Sequence, residues 1–171
     1  LNDASYGYYG SGNAKIGPHG DFVTSPSLSN DFAFLVGKQI EDWLINLKSN
    51  LLKYENLSVI EFGAGDGSFM MGIVKYLLGR DKRCLEGVSF LIIEPNQGMI
   101  KKQKKKLEKF INLGLDIVWK SMEEIEKNEL NGIVLANEVL DALPVERITF
   151  KNGKLYRQAV SVEKKSSKLF F

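Results

Sequence analysis

Residues 59–69 read VIEFGAGDGSF, and the spacing of Gly63, Gly65 and Gly67 decides how the chain folds and what it can hold. A phosphate-binding P-loop would need a Gly-Lys-Ser/Thr ending, which this stretch lacks. The dinucleotide fingerprint G-x-G-x-x-G is missed as well: the third glycine comes one residue early, and Ser68 stands where it should be. What remains is an acid, Glu61, closing an apolar run, followed by glycines on alternate positions. Such glycines let the backbone turn sharply and approach a ligand where a Cβ would collide.

Outward from this turn, four short apolar runs alternate with helical patterns. The runs are LSVIEF (57–62), VSFLIIE (88–94), LDIVW (115–119) and NGIVLAN (131–137). Each is almost continuously apolar, which predicts strands buried on both faces of a parallel sheet. Segments 68–80, 96–113 and 121–129 carry helical spacing between them. The order predicts a doubly wound α/β sheet with right-handed crossovers. Upstream, Ser25-Pro26 reads as a helix start. Leu28, Phe32, Leu35, Val36, Ile40, Trp43, Leu44 and Leu47 then form one apolar stripe, running on to about Leu52. After Pro144, VERITF and LYRQAVSV alternate polar with apolar around Asn152-Gly153, a two-residue hairpin signal. A third short strand, ending at Phe171, follows the Ser166-Ser167 turn. The expected organisation is an N-terminal arm or lid (1–24), a ligand-binding α/β domain (25–144), and a β-hairpin or meander (145–171).

An acid-x-Gly-x-Gly-x-Gly turn at the end of a first strand is the pattern by which Rossmann-like class I methyltransferases bind S-adenosyl-L-methionine (AdoMet). On that reading Glu61 holds the methionine part, directly or through water. Glu94, ending the second strand, accepts from both ribose hydroxyls. Ser121 and Met122 follow the third strand, the methionine able to pack on adenine. Asn137 and Glu138 end the fourth, on the carboxyl edge where open α/β sheets bind ligands. A glycine turn with no ligand is the plain alternative.

With those residues in view, the chain resembles the MidA family of AdoMet-dependent methyltransferases, whose eukaryotic members are mitochondrial complex I assembly factors. The resemblance rests on Tyr6-Gly7-Tyr8-Tyr9, on Ile16-Gly17 with Gly20-Asp21-Phe22-Val23-Thr24-Ser25-Pro26, and on the glycine turn. It continues through Ala136-Asn137-Glu138 and Asp141-Ala142-Leu143-Pro144-Val145, with Glu94 and Gln103 in matching places. It implies methylation of a protein arginine, plausibly in a respiratory NADH dehydrogenase subunit. It also implies a sheet incomplete at the C-terminus, with the hairpin leading into a substrate lobe that this sequence lacks. Ser27 and Phe34 stand where the family usually carries glutamates, and GAGDG where it usually carries GPGRG. The compartment expected is mitochondrial for a eukaryotic protein and cytoplasmic for a bacterial one.

An arginine acceptor needs carboxylates, because bidentate hydrogen bonds orient its guanidinium and localise a charge that is otherwise delocalised. The candidates are Glu138, Asp141 and Asp21, the first two sharing a face if 138–142 is helical. Turn-capping and local turn contacts are the alternatives for Asp141 and Asp21. Thr24 and Ser25 are candidates to hydrogen-bond the cofactor from the arm. A non-catalytic assembly protein that docks a partner subunit on the same fold is the alternative function.

The other features are plainer. At 171 residues and a formal charge of +2, the chain suits one domain and gives no reason to expect nucleic acid. It has no apolar run long enough to insert in a bilayer. Its one cysteine, Cys84, excludes an internal disulfide, and a single histidine, His19, makes no ligand-spaced metal cluster with it. In 101–106 (KKQKKK) the lysines read as the solvated face of a helix whose inward stripe is Ile100, Leu107, Phe110 and Ile111. Trp43 and Trp119 read as core. Oligomeric state is not legible.

Overall fold

The computed structural model describes residues 7–9, 11, 15, 20–21, 29–50, 56–80, 82–126, 130–159, 161–162 and 169–170. The chain divides into two compact units, Leu1–Asp141 and Ala142–Phe171.

In the first unit α1 (Asn30–Asn50) precedes a parallel sheet of β1 (Leu57–Phe62), β2 (Val88–Ile93), β3 (Ile117–Lys120) and β4 (Gly132–Ala136). Helix α2 (Ser68–Leu78) joins β1 to β2, and α3 (Gln97–Asn112) joins β2 to β3. The strand order is β3-β2-β1-β4. The chain steps outward from β1 to β3 and then returns to β1's other side. The strand order therefore reverses between β1 and β4, and at such a switch point the carboxyl edge opens into a crevice.

Alternation along the strands splits the apolar residues between two faces. Val59, Phe90, Ile92, Ile117 and Ile133 pack with Ala33, Ile40 and Leu44 of α1, Met70, Ile73 and Leu77 of α2, and Leu107 and Phe110 of α3. Ile60, Leu91 and Ile93 point the other way, with Phe62 and Ile125 against them. Burial on both faces, expected for all four strands, holds for β1 and β2. It fails for β3 and β4, where Val118 is 38% and Val134 54% exposed. The helix expected over 121–129 is, among the described residues, a 3₁₀ turn at Met122–Glu124. Of the described residues in that segment, Ile125 packs on the second face.

The stripe read on α1 is rotated from the true one. Leu35 and Trp43 are exposed, and the buried line runs through Ala33, Gly37, Ile40, Glu41 and Leu44. Small residues, which an apolar count overlooks, set the crossing with α2. A Cβ on Gly72 would lie 2.4 Å from the Ala33 Cβ, and one on Gly37 would lie 2.9 Å from the Tyr76 ring. The buried Glu41 carboxylate accepts from the Tyr76 hydroxyl at 3.1 Å and Arg80 Nε at 3.2 Å, so the polar intruder on this face is paired. The expected helix start at Ser25-Pro26 and end near Leu52 lie outside the described residues.

In the second unit β5 (Ile148–Lys151) and β6 (Lys154–Arg157) pair antiparallel. Both turn residues are left-handed, Asn152 at φ 53° and Gly153 at φ 74°, as a type I′ turn demands. The run LYRQAVSV is not one strand: Ser161–Val162 leaves the hairpin and pairs with Leu169–Phe170.

The α1–α2 crossing can be tested directly. Alanine favours a helix over glycine by ~1 kcal/mol, yet Gly72→Ala is expected to destabilise the protein by about 1–3 kcal/mol through overpacking. Adding Ala33→Gly should recover most of that loss in chemical denaturation. A neutral or stabilising Gly72→Ala would show that the helices do not touch there.

Candidate functional site

Everything that singles out the carboxyl edge begins with the turn after β1. Gly63, Gly65 and Gly67 all have positive φ, at 60°, 54° and 82°. These are conformations that cost L-residues strain. The Gly67 N–H closes the turn on the Ala64 carbonyl at 2.8 Å. A Cβ on Gly67 would lie 3.3 Å from Gln103 of α3, and one on Gly63 would lie 3.4 Å from Val139, just past β4. The turn is thus held between α3 and the segment carrying Asn137 and Glu138.

Glu61, the last acid of β1, is 3% exposed, and its Oε2 has no hydrogen-bond partner among the described residues. Burial pushes its carboxyl up to about 8, the nearby carboxylates of Asp66 and Glu94 add to this, and a backbone hydrogen bond from Met70 opposes it. Asp66 follows a different course. Burial raises it, but Lys106 and the Ser68 N–H and hydroxyl outweigh that and hold it below its ordinary value. It caps α2 by accepting from Ser68 N on Oδ1 at 2.9 Å and from Ser68 Oγ on Oδ2 at 3.0 Å, with Lys106 bonded to Oδ2 as well.

Glu94, just past β2, is buried and raised by that burial, against hydrogen bonds from Asn96 N (3.0 Å) and Gln103 Nε2 (3.1 Å). Gln103 is fully buried in the middle of the lysine run. Its Nε2 also donates to the Gly65 carbonyl at 2.8 Å, and its Oε1 accepts from Trp119 Nε1 at 2.9 Å. Asn96 caps α3 through Gly98 N and Met99 N, and its amide donates to the Tyr9 carbonyl of the arm. Burial, and then the Asp141 carboxylate, raise the Tyr9 hydroxyl. Tyr9 therefore ties the arm to the edge beside β2 through Asn96.

The expected residues divide accordingly. Glu61, Gly63, Gly65, Gly67, Glu94 and Asn137 come together at the switch point. Ser121 and Met122 follow β3, with Met122 57% exposed. The Ser121 N–H is engaged by Glu124 at 2.6 Å, so this pair presents the methionine more freely than the serine. Glu138 is exposed and left-handed at φ 52°. It lies outside the 3₁₀ turn Leu140–Ala142 that carries Asp141, so the two do not share a helix face. The Asp21 carboxylate accepts from Tyr8 Oη at 2.7 Å, a contact 13 residues back in the sequence. Thr24 and Ser25 lie outside the described residues.

Asn96 was missed in the sequence, and Gln103, Tyr9 and Asp66, though part of the family resemblance, were not read as site residues. The signal for Gln103 was there: it is the one uncharged residue in KKQKKK, and Met99, Ile100, Gln103, Leu107 and Phe110 are buried on α3, whereas Ile111 is 38% exposed. Trp119 is partly buried as expected, with Lys104 Nζ 5.4 Å from its ring centre. Cys84 is buried. No helix among the described residues is long and apolar enough to cross a membrane.

Residues 35–171 match the family of S-adenosyl-L-methionine-dependent methyltransferases. Over 171 residues the chain is 28% identical to a mitochondrial protein arginine methyltransferase of Caenorhabditis elegans, the NDUFAF7 homolog, covering 89% of the chain and 38% of the relative. It is 29% identical over 167 residues to the Danio rerio mitochondrial protein arginine methyltransferase NDUFAF7, covering 86% and 37%. The chain thus spans under two fifths of these curated relatives. A Burkholderia thailandensis crystal structure bound to S-adenosyl-homocysteine superposes with a TM-score of 0.72 at 26% identity, covering 96% of this chain and 40% of that one.

The raised Glu61 carboxyl has a consequence for stability. Between the ordinary carboxyl range and about pH 8 the folded protein binds a proton that the unfolded chain releases, so stability falls as pH rises through that window. Glu61→Gln removes this dependence. The variant should match the parent near pH 5 and be more stable by about 2–4 kcal/mol at pH 9, since each tenfold difference in proton affinity between folded and unfolded chain is worth ~1.4 kcal/mol. Equal denaturation midpoints at pH 9 would mean that Glu61 titrates normally.

Proposed function

Since this chain belongs to the MidA-type family of S-adenosyl-L-methionine-dependent methyltransferases, we propose that its carboxyl edge holds AdoMet and that the protein methylates a protein arginine. One observation carries the cofactor reading: a buried carboxylate oxygen, without a partner among the described residues, stands behind three left-handed glycines at the sheet's switch point. The site is short of a cationic donor, which is what the ammonium of a methionyl group supplies. AdoMet, when bound, supplies a methyl group on a sulfonium leaving group, so no metal is required for an in-line displacement.

The chain's own residues do the holding. The backbone of Gly63, Gly65 and Gly67 lets the ligand approach closely. Glu61 accepts from its ammonium and gives up a proton as it does so, and Glu94 accepts from the ribose hydroxyls. Met122 packs on the adenine, with Ser121, Asn137, Thr24 and Ser25 as further polar partners. Glu138, with Asp141 and Asp21 beside it in role, orients the guanidinium by charge-assisted hydrogen bonds. The left-handed Glu138 backbone supports this, since strained φ at a non-glycine residue concentrates at functional sites. By family resemblance the acceptor belongs to a respiratory NADH dehydrogenase subunit, and the relatives' mitochondrial setting fits that choice.

A second reading, an assembly protein that docks a partner subunit, is favoured by one feature. Ile148, Phe150 and Leu155 lie on one face of the hairpin at 68%, 71% and 70% exposed.

Calorimetric titration of the intact protein with S-adenosylhomocysteine, with NAD as control, separates the two. Micromolar binding of the homocysteine product alone is expected, abolished in Gly65→Val and weakened about tenfold in Glu94→Ala, at ~1.4 kcal/mol for a lost charged hydrogen bond. Binding of neither ligand would give the docking reading first place. With an acceptor in hand, Glu138→Gln should lower kcat by at least about tenfold and leave S-adenosylhomocysteine affinity unchanged. Unimpaired turnover would remove Glu138 from the acceptor site.

A further inference from the structure

Resting on the cofactor reading above, we propose that Gln103 is a positioning residue for nucleoside binding. It orients the Glu94 carboxylate toward the ligand's vicinal hydroxyls and pins the Gly65 carbonyl of the glycine turn beneath it. Three elements meet on this one amide. Trp119 Nε1, a donor only, reaches Gln103 Oε1 at 2.9 Å and so decides which end of the amide is the acceptor. The NH₂ end must then face the other way, where it donates at once to the Gly65 carbonyl at 2.8 Å and Glu94 Oε2 at 3.1 Å. Asn96 N holds Glu94 Oε1 at 3.0 Å, so each carboxylate oxygen has one fixed donor and its rotation is set. An ionised carboxylate oxygen accepts more than one hydrogen bond, which leaves acceptor capacity on both for a ligand's hydroxyl pair.

A residue that merely filled space would explain the burial but not this polarity. Leucine fits a buried helix stripe better than an amide does, and a buried amide is tolerated only when its hydrogen bonds are made. Here the bonds run to two groups already argued to touch the ligand and to one that fixes the amide's direction. Of the surrounding charges, Glu61 of β1 couples to Glu94, while Asp66 of the turn couples to Glu61 and is bonded to Lys106 of α3. Gln103 is the side chain that holds Glu94 toward its charged form.

The test is S-adenosylhomocysteine affinity of the intact protein from pH 6 to 9, in the parent, Gln103→Leu and Trp119→Phe. Without the amide donor Glu94 takes up a proton more readily, so its acid-side loss of affinity moves to higher pH. Gln103→Leu should bind about tenfold more weakly at pH 6 and within about threefold at pH 9, as expected for one hydrogen bond to a charged group. Trp119→Phe frees the amide to turn and should show the same pH signature at smaller amplitude. A ratio to the parent that does not vary with pH in either variant overturns the positioning role and leaves the cofactor reading standing. No binding by the parent at any pH overturns the cofactor reading and the inference with it.

Discussion

The Gln103 amide joins three strands' worth of structure in the buried interior: the glycine turn after β1, the acid after β2, and the tryptophan on β3. Each of those elements reaches the carboxyl edge independently along the sheet. Nothing in a parallel ladder fixes the side chains beyond the strand ends relative to one another. The amide does so because it has both a donor end and an acceptor end, and the low-dielectric surroundings make any unmade bond costly. The left-handed glycine turn fits against α3 at the same place: Gly67 has no room for a Cβ without pressing on Gln103.

Three carboxylates share this small volume, and the protein treats each differently. Asp66 is bonded to Lys106 and caps α2, so it is charged and structural. Glu94 is bonded on both oxygens yet keeps acceptor capacity, which suits it to a ligand's hydroxyl groups. Glu61 is left with one oxygen unpartnered among the described residues and its carboxyl pushed up to about 8. A residue so placed lowers the stability of the empty site at neutral pH, and a cationic ligand relieves that cost. Strain at the Glu138 backbone follows the same pattern of local cost at one edge of an otherwise well-packed sheet.

The places where sequence and structure part company have a common origin. On α1 the apolar stripe pointed to Leu35 and Trp43, but the closest approach of α1 and α2 goes through Ala33, Gly37 and Gly72. Packing selects small residues where two backbones come near, and a count of large apolar side chains misses them. The 121–129 segment had helical spacing, yet its described part makes a single 3₁₀ turn with Glu124 on the Ser121 N–H, because Ser121 and Glu124, three residues apart, favour local capping. In α3 the lysine run hid a buried glutamine.

From the sequence alone came the four strands, the helices that join the first three of them, the turn at the alternate glycines, the acids near the carboxyl ends of β1 and β2, and the Asn152-Gly153 hairpin. All of these are local or periodic: a positive-φ turn needs glycine or asparagine wherever it occurs, and a strand buried on both faces must be apolar along its length. Only the tertiary structure decided which polar residues meet at the carboxyl edge. Gln103 as a buried three-way partner, Asn96 and Tyr9 as the arm's tie, and Glu61 as a buried acid with one oxygen unpartnered among the described residues depend on which elements meet in space. A buried hydrogen bond is set by the distance between distant segments, and no property of either segment's own sequence carries it.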